Sequence, residues 1–420
     1  MKNTAWMSLL ALLCVSTASA TPWHSFGPRA MGMGGAGVAL PQAGLSSYWN
    51  PASLGLTDNS WGVQIPVGVH AVVQGPVIQG ANDINQISQD CHNGGPGTGT
   101  CNQANINAAL ATLGSPNSGA LIDAGAGANL KIKKLSFFVD NFTYAGAIPK
   151  IDNTAADTTA AAFNANKNQS RLTLRGISAT EFGAGYGMEL PFAKGVLVGG
   201  NLKLISARVG YYDYYLDNNS NSSGSGGFKN FTSGAKQSVN AGVDVGVLWD
   251  LGKTFEVVPM HPRIGVTARD INNPQFAQPD QAKLAGEPNH YSLQGQSRLG
   301  VAISPFKFWN IVADADLTHN LTPVDGVVSQ TIGLGTEVNV FDRAWLNIPL
   351  RAGVSKNIAM AGTKTAVSLG GGLNFLHVHL DASAMASPSS QSVQTQGKST
   401  KIPGELGAAV QLGLVFGGAN

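Results

Sequence analysis

The side chains able to do chemistry in this 420-residue sequence fall into a few small groups. His377, His379 and Asp381 recur at every second residue, which on a strand puts two imidazoles and a carboxylate on one side, a spacing metal sites use. Asp314 with Asp316, and Glu181 with Glu189, are paired carboxylates of the type that acid–base chemistry needs, yet no nucleophile or histidine is fixed beside them. Cys91 and Cys101, with His92 adjacent, offer either a disulfide or two soft ligands of a zinc shell; the zinc reading lacks a second ligand pair. The run "GMGGAG", residues 32–37, fits the dinucleotide-binding glycine pattern, but neither the strand nor the helix that would frame it can be completed around it. No nucleophile elbow, P-loop, Cys-x-x-Cys or His-Glu-x-x-His pattern occurs, so no enzyme activity, no metal and no cofactor are expected.

What positions these residues is therefore the question. Residues 1–20 read as a secretory signal: Lys2 gives the positive end, Trp6 to Val15 the apolar core, and Ala18-Ser19-Ala20 the cleavage site. An exported chain meets an oxidising compartment, which favours a Cys91–Cys101 disulfide. Charged residues make up only 12%, Gly numbers 53 and the net charge is +2, which argues against nucleic acid and for an apolar solvent around the protein. No stretch after residue 20 has the roughly 20 apolar residues of a spanning helix, so strands must do any spanning.

Alternation at period 2 begins at residue 61. Trp61, Val63, Ile65, Val67, Val69, Ala71 and Val73 share one face; Gly62, Gln64, Pro66, Gly68 and His70 share the other. The same split separates Val239, Ala241, Val243, Val245, Val247 and Trp249 from Asn240, Gly242, Asp244 and Gly246. It returns in Leu346, Ile348, Leu350, Ala352 and Val354, and in Leu406, Ala408, Val410, Leu412, Leu414 and Phe416. A soluble sandwich would bury the apolar face and an outer-membrane barrel would turn it to lipid. Segment length and loop sorting select the barrel. Strands are expected near 61–75, 119–132, 135–148, 172–190, 195–214, 237–251, 262–271, 291–304, 309–320, 327–340, 345–357, 364–374, 376–387 and 404–416. Long polar tracts (76–118, 149–171, 215–236, 272–290, 388–403) alternate with mostly tight turns, the asymmetry of extracellular loops and periplasmic turns. A short helix is expected near 102–114, from the spacing of Ile106, Ala109, Leu110 and Leu113. Trp61, Trp249, Trp309, Trp345 and Phe416 sit where interfacial girdles form, and Tyr211, Tyr212, Tyr214 and Tyr215 suit either an outer girdle or a capture surface.

The stretch "FGPRAMGMGGAGVALPQAGLSSYWNPASLGL", residues 26–56, resembles the N-terminal signature of the FadL/TodX outer-membrane transport family and its TraF-like and PorV-like relatives, through its Gly/Ala run and Asn50-Pro51-Ala52. "GVDVGVLW", "PRIGVTARDINNPQF", "RLGVAISPF" and "IPLRAGVSKN" are similar to phrases of TraF-like members. The resemblance implies an all-β fold, a 14-stranded antiparallel transmembrane outer-membrane β-barrel with an N-terminal hatch plugging its lumen. The expected division is a cleaved signal (1–20), a hatch (21–58) holding Gly32, Gly34, Gly37, Asn50, Pro51 and Ala52, and the barrel (59–420). Glu181, Asp244, Arg263, Arg298, Asp314, Asp316, Arg351, His377, His379 and Asp381 are then expected to line the lumen, with the arginines pairing carboxylates to hold the hatch. The implied function is passive passage of small hydrophobic molecules through the outer membrane of a Gram-negative bacterium. The alternative is a structural or docking part of a conjugation or secretion system. Expected partners are outer-membrane lipid and lipopolysaccharide, the barrel-assembly machinery and a small hydrophobic ligand, with a monomeric chain.

Overall fold

A computed structural model describes residues 21–56, 60–116, 118–216, 231–255, 257–323, 327–343, 345–360, 363–395 and 398–417. The expected export signal and the centre of the 215–236 tract lie outside these residues. The strands are β1 (Trp61–Gln74), β2 (Gly119–Ile132), β3 (Leu135–Lys150), β4 (Arg171–Glu189), β5 (Val196–Tyr215), β6 (Lys236–Asp250), β7 (Arg263–Arg269), β8 (Gln275–Ala277), β9 (His290–Ser292), β10 (Gln296–Phe306) and β11 (Trp309–Asp316). They continue with β12 (Asn320–Leu321), β13 (Val328–Ser329), β14 (Thr331–Arg343), β15 (Leu346–Asn357), β16 (Ala366–Phe375), β17 (Val378–Ala386), β18 (Ser390–Thr395), β19 (Lys398–Pro403) and β20 (Glu405–Phe416). Fourteen of them close a barrel in the order β1-β2-β3-β4-β5-β6-β7-β10-β11-β14-β15-β16-β17-β20, every neighbour antiparallel. The seam runs from Trp61 opposite Phe416 to Val72 opposite Glu405. Closure leaves the wall without a free edge, which hydrocarbon would not tolerate.

The period-2 pattern sets which face looks where. Val67, Val69, Val245, Val247, Leu350, Val410 and Leu412 point away from the lumen and are exposed, Val410 at 56%. Gln64, Asp123, Glu181, Asp244, Asp314 and Arg351 point inward and are buried. In water such an outer surface would aggregate; in lipid it is the stable one. Turns are tight after Ile132, Phe306 and Phe375, and aromatics crowd that rim. Trp61 stacks on Phe416 (4.4 Å between rings), Phe306 on Phe308 (5.4 Å), and Trp345 meets Phe375 edge-on.

The opposite rim carries more structure than the polar tracts suggested. Helix Gln103–Leu113 forms where expected, and a second helix, Val77–Gly94, packs against it through Ile84, Ile87 and Cys91. The second was hidden because Asn, Gln and Asp fill most of its surface, leaving an apolar stripe one residue wide per turn. The Cys91 and Cys101 sulfurs are bonded, with Cα atoms 4.9 Å apart. Beside them the Thr100 hydroxyl and amide donate to Asp90, holding its carboxyl below the usual range. Three further tracts hold hairpins: β8 with β9, β12 with β13, and β18 with β19.

Some expectations need correction. The strand expected at 291–304 begins at Gln296, because residues 290–292 pair with 275–277 instead. The connection 251–262 on the tight-turn rim is longer than its neighbours and contains helix Leu251–Thr254. The tyrosines at the end of β5 split between the faces: Tyr211 is buried in the lumen with its hydroxyl on Asp213, while Tyr214 packs under the loop helices. A single aromatic crown is thus excluded by the pleat itself.

Two outcomes follow. Val410→Arg, at mid-height of β20 opposite Val67 and Ala382, should cost about 2–4 kcal/mol of membrane stability, read as loss of the heat-modifiable folded band on gels. Replacing Cys91 and Cys101 together by Ser frees a short loop and should cost up to about 3 kcal/mol locally, read as faster protease cleavage between Val77 and Leu113 with the barrel intact.

Candidate functional site

The lumen is where the chemistry-bearing side chains meet, and residues 21–56 fill much of it. This segment is too short and too rich in glycine for long helices. It runs as helix Pro28–Gly32, a turn through Gly34 and Gly35 at positive φ, and short helical pieces Ala43–Leu45, Ser46–Trp49 and Pro51–Leu56. Its buried backbone needs partners, and the inward side chains of the wall supply them. Asp314 accepts from the amides of Gly37 (2.8 Å) and Val38 (3.0 Å). Ser368 accepts from Gly34 and donates to the Gly32 carbonyl. Gln64 accepts from Leu45, Asn201 donates to the Ser47 carbonyl at 2.7 Å, and Arg298 to that of Gly35 at 2.9 Å.

Asn50 works from the hatch side. Its amide nitrogen donates to the carbonyls of Val38 (3.2 Å) and Val247 of β6 (3.1 Å), and its side-chain oxygen accepts from Ala52. Pro51 then fixes the backbone so that Asn50-Pro51-Ala52 turns against Gly199 and Gly246 of the wall, where any Cβ would strike Pro51 or Asn50. The second close approach is at Gly34: at φ +69 it faces Gly333 and Gly353, and a Cβ on either side would collide with backbone. The "GMGGAG" run is therefore a packing device between two backbones.

Among the described residues, buried charges gather in several clusters. In the first, the Lys203 ammonium lies 3.1 Å from Glu181, 3.1 Å from Asp244 and 3.0 Å from Asp270. Arg269 contacts Glu181 and sits over the Tyr48 ring at 4.0 Å, while Arg298 sits 4.9 Å over Trp23. The second is Arg298 on Asp316 at 2.6 Å. In the third, Glu337 is shared by Arg29 of the hatch (2.6 Å) and Arg351 (2.7 Å), and Arg351 also holds Asp381 at 2.6 Å. Around the arginines, Phe26 and Tyr48 of the hatch pack on Phe142, and Trp23 and Trp49 pack on Tyr48. The Tyr48 hydroxyl donates to the His24 carbonyl at 2.7 Å, and burial pushes its pKa up, so it stays a donor. Finally, His24 meets Asp123, whose other oxygen lies 2.8 Å from His70; the far nitrogen of His70 is 3.0 Å from Glu405. That chain joins hatch, β2, β1 and β20 across the seam.

Of the residues singled out in the sequence, Glu181, Asp244, Arg298, Asp316, Arg351 and Asp381 stand in these clusters, and Asp314 holds the hatch amides of Gly37 and Val38. His379 faces a cavity of about 320 Å³ on the tight-turn side, next to Arg29 and Gln411. Arg263 reaches only the rim of the lumen, where it pairs with Asp250 at 3.1 Å, and Glu189 pairs with Lys253 at the same rim. His377 is misplaced by the sequence reading: it lies in the turn before β17, exposed, stacked on Phe416, so the alternation that would aim it inward has not yet begun. The imidazole–imidazole–carboxylate face is thus broken. Sequence reasoning missed Lys203, Arg269, Asp270, Glu337, Asp123, His24 and His70. Their signal was present, since all but His24 and Asp270 occupy inward positions of a strand, but their partners are fixed only by strand register.

Above the hatch, toward the long loops, lies a cavity of about 410 Å³. Val72, Leu121, Val327 and Met385 give it apolar walls, with Trp23 and Arg298 also lining it.

No curated protein matches the sequence. The structure is similar to that of the Pseudomonas putida toluene transporter TodX, at 12% identity over 94% of this chain and 99% of that one, with a TM-score of 0.49. It is similar also to the Ralstonia pickettii toluene transporter TbuX (11% identity, 93% and 98%, TM-score 0.47) and to a Pseudomonas aeruginosa FadL homologue (10% identity, 95% and 99%, TM-score 0.42). The family model described as F plasmid transfer operon, TraF, protein matches residues 47–316, more than half of this sequence, and the chain belongs to that family.

Proposed function

We propose that the chain is a channel of the Gram-negative outer membrane through which small hydrophobic molecules diffuse, with no cofactor and no energy source of its own. The cavity of about 410 Å³ above the hatch carries this reading: its size falls in the range of small-molecule pockets, and Val72, Val73, Leu121 and Val327 supply apolar surface beside a few fixed polar groups. The lipid-facing wall supports membrane residence, with outer-membrane lipid and lipopolysaccharide around a monomer that the barrel-assembly machinery inserts. The polar rim above the cavity favours a compact ligand over a long fatty chain. Gly32, Gly34, Gly37 and the Asn50-Pro51-Ala52 corner act as the parts of the hatch that fix it against the wall. A second reading, a structural or docking component of a conjugation or secretion system, is favoured by the transfer operon in the family description and by the helix pair pinned by Cys91–Cys101 on the outer rim.

Gly404 lines the cavity, and a Cβ there meets nothing closer than 3.5 Å, so Gly404→Trp should occupy part of the cavity and narrow it. Uptake of a one-ring hydrocarbon by whole cells should fall about tenfold, equivalent to roughly 1.4 kcal/mol of binding. Unchanged uptake would remove the cavity from the route and leave the docking reading. Asn50→Ala removes the side-chain donor to the carbonyls of Val38 and Val247 and the acceptor of the Ala52 amide, at a cost of about 1–3 kcal/mol, and should raise influx of hydrophilic dyes into proteoliposomes. An influx equal to that of the native chain would argue against a sealing role for Asn50.

A further inference from the structure

The cavity of about 320 Å³ on the tight-turn side and the cavity of about 410 Å³ above the hatch follow the same sector of the wall. Along β17, Asp381 lines the lower one and Met385 the upper; along β15, Arg351 and Ser355 do the same. Along β1 the pair is Gln64 and His70, and along β20 Gln411 and Glu405. At a rise of about 3.3 Å per residue, four to six residues separate the two spaces by only about 13–20 Å along a strand.

The partition between them is unusual in composition. Inward positions of the wall at that level are small: Gly68, Ser368, Gly370, Ser383, Gly407 and Ala409. Space is filled instead by methionines. Met31, from helix Pro28–Gly32, and Met385 of β17 form one buried apolar cluster with Ala366 and Ala409. Beside it two buried polar atoms, the Ser383 hydroxyl and the Gln411 side-chain oxygen, have no hydrogen-bond partner among the described residues. Methionine is unbranched and changes shape at little cost, and a short apolar constriction gates by wetting and dewetting. Two orphaned polar groups at the constriction favour the wet state, because water entering there would satisfy them.

We infer that the barrel carries an axial pathway for small polar solutes along the β1–β15–β16–β17–β20 wall, closed by the Met31–Met385 cluster and opened by rearrangement of the methionines. The lower cavity fixes the class of solute. Its lining of Arg29, Lys131, Arg351, Glu337, Asp381 and His379 suits hydrated polar molecules and repels hydrocarbon, so this route shares the upper cavity with the one proposed for hydrophobic ligands and departs from it below the methionines.

The test uses the full chain in planar bilayers and in liposomes. M31A/M385A should raise single-channel conductance several-fold over the native protein and admit small sugars in a swelling assay. Replacing Ser383 by Val and Gln411 by Leu in that background should pull the conductance back down, because the wet state loses its polar partners. M385A alone, which leaves the hatch unaltered, should give an intermediate increase. If M31A/M385A, shown folded by heat-modifiable mobility, conducts and swells no more than the native chain, the pathway does not exist. If conductance rises but is unchanged by the Ser383 and Gln411 substitutions, the leak lies elsewhere in the lumen and the inference falls as well. Hydrocarbon uptake by the Gly404→Trp variant, whose methionines are intact, reports on the hydrophobic route.

Discussion

Everything inside this barrel depends on satisfying a backbone that has little regular structure of its own. Residues 21–56 bury peptide groups without a sheet and with only fragments of helix, and each unpaired group would cost a few kcal/mol. The wall answers mostly with side chains, since its own amides and carbonyls are engaged with neighbouring strands; the Val247 carbonyl, which accepts from Asn50, is an exception. Asp314, Ser368, Gln64, Asn201 and Arg298 each meet a different stretch of the hatch. An inward face made of apolar residues could pack against the plug but could not hold it in register. Polar alternation along the strands thus has a structural origin as well as a solvent one.

The ionic clusters extend that logic. Lys203, in contact with three carboxylates, and Glu337, shared by two arginines, are buried networks whose members would be costly singly. Their geometry ties strands that are not neighbours in the chain, and through Arg29 and Tyr48 it includes the hatch. The glycines opposite Gly34 and Asn50-Pro51 do the complementary work, letting two backbones come within contact distance where side chains would hold them apart.

Most of the wall was legible in the sequence, and for a plain reason: period-2 alternation over a dozen residues is a strong local signal. The first six strands fall within about two residues of their expected limits. Inward orientation of Glu181, Asp314 and Arg351 came with it. Pairing did not, because whether Lys203 faces Glu181 or some other acid is decided by the register of β4 on β5, which no local pattern encodes. Helix Val77–Gly94 was lost for the opposite reason, too few apolar residues to stand out from a polar loop. His377 shows how an extrapolated alternation fails at a strand end, where a single turn residue at positive φ, Leu376, resets the direction of the side chain.

The seam has a consequence for biogenesis. The plug precedes β1 in the chain, whereas the strand that completes the cylinder, β20, is made after all the other barrel strands. The histidine–carboxylate relay from His24 through Asp123 and His70 ends on Glu405, the first residue of that final strand. Docking of the N-terminus and the finishing stitch of the cylinder therefore share one set of contacts, and a half-built intermediate would hold its plug by an incomplete latch until the last staves arrive.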